Sequence, residues 1–157
     1  MTKVRPGRVV VDYDEDFVVF TIGIRVNKIW KIGKWWPVFA SLPRMLRELA
    51  RDPGLGLMGS RTVIGGRVIT AVQYWRSADH LERFAHSREH SHRRYWRQFN
   101  RAVKDNGDVG LWHELYKVRA GQFETSYVNM PPYGLAAATA DLPARRTDPD
   151  DHDHGPA

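Results

Sequence analysis

Four apolar runs rich in β-branched and aromatic residues, at 17–26 (FVVFTIGIRV), 55–64, 67–76 (RVITAVQYWR) and 109–118 (VGLWHELYKV), constrain this chain more than any other feature. Runs of this kind, bounded by charged or turn residues, read as β-strands. Only Gly65-Gly66 separates the second run from the third, which is a two-residue hairpin signal. The first gap opens on Trp35-Trp36-Pro37. It carries Met45, Leu46, Leu49 and Ala50 at three-and-four spacing, the stripe of an amphipathic helix that ends before Asp52-Pro53-Gly54. The third gap begins with Ser77-Ala78-Asp79, where a serine oxygen can cap a short helix reaching Ala85. A longer helix is expected over residues 87–104, stopping at Asn106-Gly107. After the turn Ala120-Gly121, residues 123–130 (FETSYVNM) suggest a fifth strand.

The order β-α-β-β-α-β plus one strand predicts an α+β fold of the ferredoxin-like, split βαβ kind. Helices on one face of a four-stranded antiparallel sheet leave its other face without cover. Residues such as Tyr74 or Trp75 and Trp112 or His113 would lie there. Face-to-face pairing of two copies into a dimeric α/β barrel is the economical answer, with the fifth strand reaching the partner. Beyond Pro131-Pro132 the residues are Ala, Pro, Asp, Arg and Gly, too polar to offset their ordering entropy. The reading is therefore one domain over 1–140 and a disordered C-terminal tail over 141–157.

Composition narrows the function classes. With no cysteine in 157 residues, thiolate nucleophiles, cysteine metal sites and disulfides are excluded. The start lacks a secretory apolar stretch, and the apolar run at 18–24 contains Thr21 and stops at Arg25, too short to span a bilayer. A cytoplasmic protein is the expectation. Net charge is +6; the tail holds five acids and two arginines, so the body carries +6 + 3 = +9. Nucleic acid is not an expected partner, because the aromatics of 87–104 share the apolar stripe instead of alternating with its arginines.

Candidate chemistry sits at a few positions. His92, Trp96, Phe99 and Val103 share one face of the expected helix, so the His92 imidazole is either a satisfied core residue or a neutral base. His113 and Glu114 are neighbours in a strand and leave it on opposite faces; His113 shares its face with Leu111 and Leu115. Arg25 and Asn27 share a face with Thr21, where a cation and an amide could hold an oxyanion, unless Arg25 pairs with Glu114. Trp75 and Trp35 offer aromatic walls for a flat ligand, or else fill the core. No Walker loop, GxGxxG, GxSxG or HExxH occurs. The DHDH of the tail is expected to hold no native metal.

The stretches IGIRVNKIWK, PRMLRELA, VQYWRSADHL, His92-x-x-x-Trp96-x-x-Phe99-Asn100, VGLWHELYKV and YVNMPPYGL occur here in order. Together they resemble a domain family of unknown function related to the antibiotic-biosynthesis-type monooxygenases of the dimeric α/β-barrel superfamily, with a relative in fungal fumagillin biosynthesis. The likeness runs from about residue 9 to 138. It implies a ligand cavity between sheet and helices in each subunit of a homodimer, with Asn27, Trp75, His92, Trp96, His113 and Glu114 as matched positions. Leu115 departs from the threonine-like residue of that pattern. Relatives oxidise polyketide or terpenoid substrates without cofactor, and others bind or degrade haem.

The resulting expectation is a cofactor-independent monooxygenase. It would oxidise an enolisable or aromatic small molecule with dioxygen, in secondary metabolism or detoxification. His92 or His113 would be the base, Asn27 with Arg25 the anion stabiliser, and Trp75, Trp96, Trp35 and Glu114 the substrate contacts. Two alternatives stay open: a haem- or small-ligand-binding barrel without catalysis, with His92 as axial ligand, and a non-catalytic regulatory interaction domain supported by the basic body.

Overall fold

The computed structural model describes residues 3–37, 40, 47, 51–86, 107–140 and 145–147. In chain order the strands are β1 (Arg5–Val10), β2 (Phe17–Val26), β3 (Leu57–Gly65), β4 (Val68–Trp75), β5 (Val109–Val118), β6 (Tyr127–Met130) and β7 (Arg145–Thr147). Residues 32–37 form α1, with residues 40, 47 and 51 also helical. Ala78–His86 is α2, Leu135–Ala138 is α3, and a 3-10 turn spans Pro53–Leu55. The expected stripe at Met45, Leu46, Leu49 and Ala50 and the expected helix over 87–104 lie outside the described residues. No described helix is long and apolar enough to cross a membrane.

β2 to β5 make one antiparallel sheet in the order β3-β4-β2-β5. The first and third of these four strands lie side by side at the centre and the other two at the edges. With helical residues between β2 and β3 and again between β4 and β5, this is the ferredoxin-like, split βαβ arrangement. β2 and β5 have the expected limits. β3 and β4 are joined through Gly66-Arg67, one residue later than the Gly65-Gly66 signal, and Gly66 takes the positive φ of 57° that a tight turn requires.

Alternation then decides which side chains face the helices. Along β4, Ile69, Ala71, Gln73 and Trp75 are buried, while the residues between them are half-buried. Trp75 is fully buried and packs with Val18, Leu81 and Phe84, so α2 covers this end of the sheet. The three-residue spacing of Leu81 and Phe84 puts both on the inner side of α2. Ser77 caps that helix as expected, its oxygen accepting from the His80 backbone N–H at 3.3 Å.

The expectation left open which of Tyr74 and Trp75 lies on the opposite face; Trp75 turns toward α2, where it meets Leu81 and Phe84. Tyr74 is on that far face, and its own chain supplies cover there. Tyr13, Phe17 and Leu135 form a second core, with Val19, Met58, Tyr74 and Phe123 packed around it. The expected fifth strand is shorter, Tyr127–Met130, and pairs with β1 of its own chain in a second sheet, β6-β1-β7. Arg145–Thr147, inside the segment expected to be disordered, forms β7 and pairs with β1.

Candidate functional site

The helix-side face beyond Trp75 has two cross-strand rows that combine apolar and polar groups. Phe20 of β2 lies between Gln73 of β4 and Leu115 of β5, and Ile22 lies between Ala71 and His113. Gln73 is only 3% exposed, and its Oε1 accepts the Trp75 indole N–H at 2.9 Å. A buried amide in a strand of valines and isoleucines is costly unless it is bonded, and this bond fixes its orientation. The His113 ring stands 5.8 Å from the Phe20 ring, centroid to centroid, on the outer part of the face. With strands about 4.8 Å apart and residues about 3.3 Å apart along them, the Gln73 and His113 backbones are roughly 12 Å apart. That span suits a small flat ligand lying over Phe20.

The other expected site residues are scattered by strand parity. Glu114 pairs across the sheet with Thr21 and leaves on the far face, opposite His113. It accepts the Tyr116 hydroxyl at 2.7 Å, and this bond pushes the Tyr116 phenol up from its ordinary value. Arg25 faces Gly110, on the same side as Glu114 but four residues along the strand, so the two do not pair. The Arg25 Nη1 donates to Asn27 Oδ1, and Asn27 Nδ2 donates to the Gly107 carbonyl at 3.1 Å. The structure therefore joins Arg25 to Asn27 as expected, but separates them from His113. Ile22, beside His113, and Arg25 are an odd number of residues apart on β2, and an odd step changes face. Trp35 donates its indole N–H to the Ile29 carbonyl at 3.0 Å and meets the Trp36 ring edge-on, beyond the far end of β2. Trp75 has no exposed surface to offer a ligand. His92 and Trp96 lie outside the described residues.

Two groups escaped the sequence reading. Gln73 was readable as a polar residue at an inward step of an alternating strand. Asp108 had no such signal. It is 1% exposed at the side chain and takes Lys28 on one carboxylate oxygen and Lys31 on the other, each at 2.8 Å. Hydrogen bonds from these two ammonium groups hold its carboxyl below the usual carboxylate range, against the opposing effect of desolvation. Its carbonyl also accepts the Asn27 and Lys28 backbone N–H groups, which ties the end of β2 to the start of β5. Among the described residues no three His, Asp or Glu side chains are grouped so as to hold a metal ion.

Comparison with known proteins adds a family. Residues 17–135 match the family described as Monooxygenase af470-like. Monooxygenase af470 of Aspergillus fumigatus is 26% identical over 125 residues, covering 73% of this chain and 43% of that protein. An aldoxime dehydratase solved in complex with butyraldoxime superposes with a TM-score of 0.64 at 22% identity, over 84% of this chain and 42% of its own. SnoaB, a cofactor-independent oxygenase from Streptomyces nogalater, gives a TM-score of 0.47 at 17% identity, over 66% of this chain and 94% of its own. The chain thus spans less than half the length of the curated relative and of the dehydratase. At 22% identity the dehydratase likeness speaks for the shared fold alone.

Proposed function

The chain belongs to the Monooxygenase af470-like family, and from that premise we propose that it is a cofactor-independent monooxygenase acting on an enolisable or aromatic small molecule, in secondary metabolism or detoxification. The observation that carries the reading is the position of His113, an imidazole on the helix-side face against the Phe20 ring, in the row next to that of the buried Gln73 amide. An imidazole there can take the proton of an activated C–H or phenolic O–H. The resulting carbanion or phenolate is electron-rich enough to reduce dioxygen directly. One oxygen atom enters the substrate, and the other leaves as water with two hydrogens drawn from it. Phe20, Ile22 and Leu111 supply the apolar surface against which a flat substrate lies.

Arg25 and Asn27 take no part in stabilising an anion beside His113 on this reading, since they leave the other face. A homodimer belongs to the same proposal. Leu115 and Tyr116 on the edge strand β5, and Val63 and Ile64 on the other edge, are 40%, 52%, 41% and 63% exposed, and a second copy of the chain would cover much of that surface.

The test is oxygen uptake with enol and hydroquinone substrates by the wild type, His113→Gln and His113→Ala. Loss of a general base lowers turnover by about 10²–10⁴-fold. Undiminished turnover in both variants would remove His113 from the chemistry. A hemin titration run alongside gives a second check: a Soret shift abolished by His113→Ala would assign this face to haem ligation and overturn the cofactor-free reading.

A further inference from the structure

Arg61 sits on β3 opposite Val72 and, like Tyr74, on the far face of the sheet. Two of its guanidinium nitrogens, Nε and Nη1, are buried without any hydrogen-bond partner. The Tyr133 ring lies over its flat side, 3.8 Å from the guanidinium carbon to the ring centroid. Such a stack covers the π face and leaves the N–H groups, which lie in the guanidinium plane, to be satisfied by something else. Both ion pairs among the described residues end on Asp108, so no described carboxylate answers this cation. Buried N–H donors without acceptors are costly, and these two, on a half-buried arginine that no described carboxylate faces, can be satisfied by an anionic ligand.

The surroundings say what kind. The Tyr74 hydroxyl makes no hydrogen bond among the described residues, and a Cβ built on Gly134 would lie 3.2 Å from it and 3.4 Å from the Tyr127 hydroxyl. Three tyrosines therefore converge on the corner at Tyr133-Gly134, next to Arg61. Burial, and then Tyr127, push the Tyr74 phenol up while Arg61 pulls it down; the net upward shift keeps it a donor at neutral pH. Behind them Leu135, Val19 and Met58 are apolar. One cation, one free hydroxyl donor and aromatic walls match a monoanion with an apolar body better than a phosphate dianion, which a single guanidinium leaves half-neutralised.

We propose that Arg61 and the Tyr74 hydroxyl form a binding site for an aryl or similarly apolar carboxylate, closed on one side by Tyr133. Nη2, the guanidinium nitrogen outside the buried pair, gives the carboxylate its first contact, and the Tyr133-Gly134 corner yields as the ligand seats. The site lies on the opposite side of the sheet from His113 and stands whether or not the chain is an oxygenase.

Calorimetric titration at fixed ionic strength with benzoate, its neutral isostere benzamide and inorganic phosphate tests it, on the wild type, Arg61→Met, Arg61→Lys and Tyr74→Phe. Benzoate is expected to bind the wild type in preference to the other two probes. Arg61→Met should weaken benzoate by about tenfold or more, as the loss of a charge-assisted pair does. Tyr74→Phe should weaken it several-fold while benzamide is unaffected. Should Arg61→Met fail to fold, Arg61→Lys reads the same point, since losing the planar fork should still weaken benzoate. Equal benzoate affinity in the wild type and the Arg61 variants overturns the proposal, as does benzamide binding as tightly as benzoate. So does an absence of benzoate binding together with dissociation of a dimer by Arg61→Met, which would put a second copy's carboxylate in the pocket.

Discussion

Replacing Trp75 by Phe isolates one bond in the main core. The ring stays among Val18, Leu81 and Phe84, where the present indole is fully buried, but the N–H that Gln73 Oε1 accepts at 2.9 Å is removed. An acceptor left unpaired in the core costs about 1–3 kcal/mol. The smaller ring also leaves a void, which adds to the loss. Trp75→Ala, by contrast, removes burial of about 150–250 Å², worth roughly 4–6 kcal/mol at about 25 cal/mol per Å², an upper figure because unfolded chains already bury some surface. Gln73→Leu alone leaves the indole N–H unpaired and costs a similar 1–3 kcal/mol. Removing both polar partners is close to neutral, so the double variant Trp75→Phe/Gln73→Leu should be more stable than the sum of the singles by at least about 2 kcal/mol. Urea unfolding at one fixed protein concentration measures the wild type and the four variants, since self-association would otherwise shift the midpoints. If Trp75→Phe lies within about 0.5 kcal/mol of the wild type, or if the singles simply add, the bond does not hold the core as argued.

Gly23→Ala should destabilise the chain by about 1–3 kcal/mol, because a Cβ there would come within 2.5 Å of the Trp112 indole nitrogen on the neighbouring strand; thermal melts should show the penalty shrinking in a Trp112→Ala background. The Lys28 and Lys31 bonds depress the Asp108 carboxyl, so its contribution is fully present above the unfolded value of about 3.9 and is lost as pH falls through the lower folded value. Denaturation of Asp108→Asn and wild type from pH 7 to pH 3 should therefore show a constant gap at the upper end that closes below about pH 4. A chain ending at Asp141 loses β7 and with it the pairing of Arg8, Val9 and Val10; their amides should exchange faster in hydrogen-exchange measurements while those of β2 and β4 do not.

The main sheet was legible because each of its strands carries the signal within itself. Phe17–Val26 and Val109–Val118 are runs rich in β-branched and aromatic residues, and a side-chain period of two places His113 and Glu114 on opposite faces. β1 gave no such signal. Its RPGRVV contains a proline and a glycine at φ 88°, and it becomes a strand through β6 and β7, with Asn129 accepting the Gly7 N–H at 3.0 Å. Parity alone also left open which of Tyr74 and Trp75 points inward; contact of Trp75 with Leu81 and Phe84 decided it.

Register, too, is a property of paired strands. An Arg25–Glu114 pair was reasonable from two sequences side by side, but the alignment sets Arg25 against Gly110 and Glu114 against Thr21. Arg61 lies in MGSRTVIGG, a segment with nothing to distinguish its arginine from a solvated one. Only the return of the chain stacks the Tyr133 ring over its guanidinium, two of whose nitrogens are buried without a hydrogen-bond partner. Periodicity is written locally and survives reading in one dimension. Burial and the matching of charges depend on residues brought together from 72 positions away, and those contacts exist only once the chain has closed on itself.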